Sequence, residues 1–143
     1  MSDRSMAVVD AHVLLFRNNQ VLLLRRQNTG YEDGKFCLIA GHLEAAESIA
    51  AAAIREAREE AGVTISEASL RFLHVMHNNS GGHRIGFFFK AETWAGNPCN
   101  NEPRKCSQIE WFDVTSLPDS LIPYQRDAIT AGLNGVQFSC RGW

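Results

Sequence analysis

The chain carries glutamates at positions 44, 47, 56, 59 and 60. Glu56, Glu59 and Glu60 are spaced i, i+3, i+4, so on a helix they share one face about 100° wide. Stacked carboxylates repel one another, and a helix gains nothing from the arrangement unless a positive partner sits there. A hard divalent cation is one such partner: Mg²⁺ prefers oxygen ligands, keeps several waters and binds substrate phosphates. Arg55 and Arg58 offer a blander compensation. A Glu/Arg-rich helix face is commonly just solvated, with a pair such as Arg55–Glu59 adding a few tenths of a kcal/mol. On residue types alone both readings stand.

Spacing separates them. After Gly41 come five residues and Glu47, then seven more and Arg55-Glu56. Ala57, Arg58, Glu59-Glu60, Ala61, Gly62 and Val63 complete the run. Seven fixed positions, each matched by chance at about 7%, give odds near ~10⁻⁸ per register. The pattern resembles the full Nudix box, here residues 41–63, and the strands around it are similar to that family's sheet. The resemblance implies an α/β/α sandwich with a mixed sheet, and a loop–helix–loop that holds Mg²⁺, with Mn²⁺ a possible substitute. It makes Glu56, Glu59 and Glu60 the expected metal ligands, with the backbone of Gly41 a further donor. Glu59, Glu60, Glu56 and Arg55 are the expected catalytic group, Arg55 pairing with Glu47, and Gly62 ends the helix.

The implied reaction is attack of metal-activated water on a nucleoside diphosphate linked to X. Many members carry Pro-Gly-Gly before the box, whereas this chain has Ile39-Ala40-Gly41 and then His42. His42 is therefore a candidate substrate or orienting residue. Arg26, at a strand end, and Glu102, in the Asn97–Cys106 loop, are further substrate-side candidates. Tyr31, Phe36 and Trp94 are candidates to stack a base. Asn78-Asn79-Ser80-Gly81-Gly82 lacks the proline or tyrosine that marks ADP-ribose and dinucleoside polyphosphate enzymes, and the coenzyme A pattern is missing. Elimination leaves a (d)NTP, cut to a nucleoside monophosphate and pyrophosphate. The alternatives are hydrolysis of ADP-ribose, a sugar nucleotide or a dinucleoside polyphosphate, and a silent nucleotide-sensing module. Silent members usually lose box glutamates, and all are present here.

Several elements must position these groups. Val8–Phe16 and Val21–Arg26 read as strands around the turn-forming Asn18-Asn19. A polar loop, Gln27–Lys35, leads to a short strand, Phe36–Ala40. Ser48–Ala61 reads as a helix whose apolar side is Ala50, Ala53, Ile54, Ala57 and Ala61. Leu70–His77, Arg84–Trp94 and Ile109–Asp113 read as strands, and Pro123 opens a helix to about Leu133. The order suggests α/β (α+β): a mixed sheet covered by helices.

With 143 residues and no linker or repeat, one domain spanning 1–143 is expected. The formal net charge is −2 and Lys/Arg are dispersed, which argues against duplex nucleic acid as a partner and suits a small-molecule nucleotide. The first residues are polar and the apolar runs too short for a bilayer, so no membrane partner is expected. Cys37, Cys99, Cys106 and Cys140 form no Cys-x-x-Cys pair, and four reduced thiols in a cytoplasmic protein, monomer or homodimer, are the expectation.

Overall fold

Asn18 and Asn19 both hold positive φ, 53° and 61°, the mirror-image turn that matches strand twist. They join Val8–Arg17 (β1) to Gln20–Arg26 (β2). This computed structural model describes residues 3–143. The stretch expected as one strand from Phe36 to Ala40 is two. Phe36–Cys37 (β3) pairs with β2, whereas Ile39–His42 (β4) crosses to pair antiparallel with β1. The break falls at Leu38 because its N–H leaves the ladder and donates to Gln125 Oε1 at 2.7 Å.

Ile49–Ala61 (α1) follows, with Ser48 Oγ accepting from Ala51 N–H at 3.0 Å. Gly62 ends it in the left-handed region at φ 68°, a conformation that costs glycine least. Leu70–Asn78 (β5) and Arg84–Ala91 (β6) form the next hairpin. β6 stops short of the expected Trp94, whose ring stacks on Trp111 with centroids 6.1 Å apart. Cys106–Asp113 (β7) starts earlier than expected, since its pairing with β2 extends to Arg26↔Cys106. Pro123–Leu133 (α2) is as expected. A strand the sequence reading missed, Phe138–Arg141 (β8), adds parallel to β5; four residues are too few to show an alternation.

The order β3-β2-β1-β6-β5-β8, with β4 on β1 and β7 on β2, mixes antiparallel hairpins with the parallel β1–β6 pair. This is an α/β/α sandwich, because alternate residues serve opposite faces. Ala11, Val13, Leu15, Leu22 and Leu24 pack toward α1. Leu14, Val21 and Leu23 pack with Ala128 and Ile129 of α2. Each fully buried leucine contributes about 1.5–3 kcal/mol. The buried side of α1 is Ala52, Ala53, Glu56, Ala57 and Ala61. It is rotated from the expected stripe, leaving Ala50 and Ile54 only half-buried. Small side chains let α1 approach β1 and β4 closely, and the rotation carries Glu56 inward. All four cysteines are free, Cys37 and Cys106 buried and Cys99 and Cys140 exposed. No helix among the described residues is long and apolar enough to cross a membrane.

Candidate active site

β4 runs over α1 so closely that a Cβ added at Gly41 would lie 2.1 Å from Glu56 Oε1. Only glycine lets the Glu56 carboxylate occupy that position. Arg55 is the cation of the cluster. Its Nε and Nη2 meet Glu47 at 3.1 and 2.8 Å. Nη1 donates to Glu56 at 2.7 Å and Glu59 at 3.3 Å, and Nη2 also reaches the His42 carbonyl at 3.1 Å. Glu44 lies 3.5 Å from Nη1. Hydrogen bonds from Arg55 and then the Glu44 N–H hold the Glu47 carboxyl below the usual range, and the bonds Arg55 makes to Glu47 and then to Glu56 raise Arg55 against the opposing pull of burial.

Glu60 behaves oppositely. Burial first, then the hydrogen-bonded, like-charged Glu56, push its carboxyl well above the ordinary glutamate range. The Ala40 N–H, donating to Glu60 Oε1 at 3.3 Å, offsets part of this, while Glu102 adds repulsion. Glu102 is brought there by a loop that caps α1. Asn101 Nδ2 donates to the carbonyls of Arg58 and Glu59 at 3.2 and 3.1 Å, and the backbone N–H groups of Cys99 and Asn101 reach Ala61 and Glu60. Otherwise-orphaned helix carbonyls are thereby satisfied.

On its other side Gly41 borders a cleft of about 580 Å³, lined also by Arg26, Tyr31, His42, Asn78, Arg84 and Tyr124. His42 Nδ1 donates to Asp10 Oδ1 at 2.6 Å, and Arg84 Nη1 donates to both Asp10 oxygens at 3.2 and 3.0 Å. The His42 side chain is 68% exposed, so Asp10 orients the ring without covering it. Arg26 is held by the Tyr31 carbonyl at 2.8 Å, the Thr29 hydroxyl at 3.1 Å and Cys37 Sγ at 3.8 Å. Asp33 ties the same loop, accepting from Thr29 N–H, Thr29 hydroxyl and Gly30 N–H. Tyr31 is thereby presented at the rim, with the Arg26 guanidinium 5.3 Å from its ring centroid.

A chain of hydrogen bonds with defined direction crosses the cleft floor. Gln125 accepts from Leu38 and donates to Tyr124 Oη at 3.1 Å. The Phe87 carbonyl can only accept, so His12 Nδ1 carries the proton, and Nε2 accepts from the Tyr124 hydroxyl at 2.9 Å. His12 is 1% exposed. Burial lowers its pKa from 6.5 to about 4, against a smaller upward pull from Asp10. The unfolded chain therefore takes up this proton near pH 6.5 and the folded chain only near 4. Stability is expected to fall as pH drops through that window, by on the order of 3 kcal/mol from this group. Urea unfolding across the window should show the slope in the native protein and a flatter one in His12→Gln.

The structure thus brings Glu47, Arg55, Glu56, Glu59, Glu60 and Gly41 together, with Glu102 beside Glu60. It sets Arg26 and His42 in the cleft wall. Of the aromatic candidates, Tyr31 lines the cleft, whereas Phe36 is buried edge-on to Phe112 and Trp94 lies against Trp111. Sequence reading missed Asp10, His12, Asn78, Arg84 and Tyr124. One signal was available: Asp10 and His12 interrupt an apolar strand on the same alternate face.

Among the described residues no three acid, histidine or cysteine side chains close into a ready metal cage; the glutamates spread around Arg55. The donor set nonetheless fits a hard divalent cation. Every side-chain donor is a carboxylate oxygen, Arg55 faces four glutamates, and burial together with the neighbouring Glu56 pushes the Glu60 carboxyl up.

Residues 6–131 match the sequence profile of the NUDIX domain. An NAD-capped RNA hydrolase, NudC, from Vibrio atlanticus (strain LGP32) is 30% identical over 107 residues, 75% of this chain but 38% of its own length. The 8-oxo-dGTP diphosphatase of Escherichia coli (strain K12) is 27% identical over 116 residues, covering 81% of this chain and 87% of that protein. The crystal structure of a MutT NUDIX hydrolase from Burkholderia pseudomallei superposes with a TM-score of 0.79 at 25% identity, over 88% of this chain and 98% of that one.

Proposed function

The chain belongs to the Nudix hydrolase family, and from that premise we propose that it is a Mg²⁺-dependent pyrophosphohydrolase that cuts a (d)NTP to a nucleoside monophosphate and pyrophosphate. The observation that carries this reading is the position of Gly41, which separates the acidic cluster from the cleft and belongs to both. A phosphate chain in the cleft would lie against the cluster there. The cleft volume is within the range of small-ligand sites. The match to an 8-oxo-dGTP diphosphatase over 87% of its length supports a triphosphate, and the NUDIX match over residues 6–131 supports a single domain.

Glu56, Glu59 and Glu60, with the backbone of Gly41, would hold the cation. When bound, it neutralises phosphate oxygens and lowers the pKa of a water. Mn²⁺ suits the same donors. A carboxylate of this group, or the adjacent Glu102, takes the proton from the attacking water. Arg55 keeps the glutamates in place through Glu47 and the His42 carbonyl. Arg26, clamped by its loop, presents positive charge from the cleft wall, and His42 is oriented by Asp10 toward the phosphate path. Tyr31 offers an exposed ring to a base. A cytoplasmic location accords with the free thiols.

Two results are expected. Chelation abolishes hydrolysis and excess Mg²⁺ restores it with unchanged far-ultraviolet circular dichroism, because this cation is catalytic and not a structural staple. Full hydrolysis in metal-free buffer would refute the mechanism. In ¹⁸O-labelled water, one label is expected in the nucleoside monophosphate or in pyrophosphate. Label confined to orthophosphate overturns the bond assignment. Slow triphosphate turnover beside brisk turnover of ADP-ribose or an NAD-capped RNA moves the reading to that substrate, each being named for a relative.

A further inference from the structure

We propose that His77 and His83 form a second metal site, separate from the acidic cluster, for a borderline divalent cation of the Zn²⁺ or Ni²⁺ type. The two Nε2 atoms approach to 2.8 Å, with ring centroids 5.0 Å apart. His83 Nδ1 lies 2.8 Å from the Met6 carbonyl and 3.1 Å from Ser5 Oγ. A carbonyl only accepts, so Nδ1 carries the proton and neutral His83 aims the Nε2 lone pair at His77. Imidazole ligands are normally oriented by such a carbonyl bond on the far nitrogen, and imidazole nitrogen suits Zn²⁺, Ni²⁺ and Cu²⁺.

In the metal-free protein His77 therefore supplies the hydrogen between the rings. To ligate through Nε2 it moves that proton to Nδ1, and rotation of the two rings then turns both lone pairs toward one cation beside the present Nε2–Nε2 line. Trp143 lies beside the pair. Its ring centroid is 4.5 Å from that of His77 and 5.6 Å from that of His83, and its Nε1–H donates to the His77 carbonyl at 3.0 Å. Among the described residues no third histidine, cysteine or carboxylate closes the set, so water completes the coordination. The two histidines flank the β5–β6 turn, whose Asn78, Ser80, Gly81 and the adjoining Arg84 line the cleft. A bound cation would tie together the two sides of that turn.

The test is a Ni²⁺ titration of the full chain in excess Mg²⁺, which keeps oxygen sites occupied. Trp143 reports by fluorescence and the whole protein by its melting temperature. Saturable quenching and a rise of about 3 °C or more are expected. Trp143→Phe should lose the quenching and keep the rise. His77→Gln and His83→Gln, each still melting cooperatively, should raise the Ni²⁺ midpoint at least about tenfold. An unchanged midpoint in both histidine variants overturns the site, as does loss of binding only in Cys140→Ser, which would place the ion on the thiol in register with His77.

Discussion

Glu59→Gln and Glu60→Gln are each expected to lower turnover by roughly 10²–10⁴-fold while leaving a cooperative unfolding transition. Glu60 meets β4 at the Ala40 N–H, Glu59 meets Arg55, and neither belongs to the apolar clusters that hold the helix on the sheet. Replacing a carboxylate by an amide of equal size opens no cavity. It removes a negative oxygen from the group proposed to hold the cation. The two variants should differ in stability. Glu59 is half-exposed and gives up only its 3.3 Å contact with Arg55, worth a few tenths of a kcal/mol at most. Glu60 carries a carboxyl raised by burial and by Glu56. A neutral amide there should leave the metal-free protein as stable as the native one, or more so. Steady-state kinetics with saturating Mg²⁺, beside thermal melts, measures both. Native turnover in either variant would remove that residue from the ligand set.

Arg55→Ala should be the most destabilising change in the site, by about 2–3 kcal/mol. Breaking a fully buried pair costs roughly 3–5 kcal/mol because the remaining charge stays unpaired; here the Arg55 side chain keeps 19% exposure and the figure is lower. What remains is an inward-facing Glu56 with 12% side-chain exposure, beside Glu60, Glu47 and Glu59. Their mutual repulsion would then lack the guanidinium that pairs with Glu47, Glu56 and Glu59, and the His42 carbonyl would lose its donor. Mg²⁺ should restore part of the loss, since a ligand that binds only the folded state stabilises it by mass action. Chemical denaturation with and without Mg²⁺ gives both quantities. A variant as stable as the native protein, with no gain from Mg²⁺, would show that Arg55 does not hold the cluster together.

How much of this was legible in the chain follows from the range over which each interaction acts. The box is local: Gly41 to Val63 is one loop, one helix and its stop, and helical periodicity alone puts Glu56, Glu59 and Glu60 on one face. The succession of strands and helices and the Asn18-Asn19 turn were readable for the same reason, since strand alternation and turn conformation are set by neighbours in sequence; the α/β/α layering was implied by the family resemblance. The inward rotation of α1 was not, because it depends on small alanines meeting β1 and β4. The split of β3 from β4 depends on Gln125, 87 positions away from Leu38.

The cleft belongs wholly to the tertiary structure. Asp10 meets Arg84 across the parallel β1–β6 pair, and His12 meets Tyr124 at a separation of 112 positions. The β5–β6 turn brings His77 to His83, but the fixed tautomer of His83 comes from Met6, 77 positions away. The sequence by itself determined that Glu56, Glu59 and Glu60 share one face, because their spacing is a property of a single helix; the phosphoanhydride chemistry proposed for them came from the family resemblance. Only the packing of the sheet decided what faces them, because a buried charge or imidazole finds its partner wherever the folded chain brings a donor within hydrogen-bond distance.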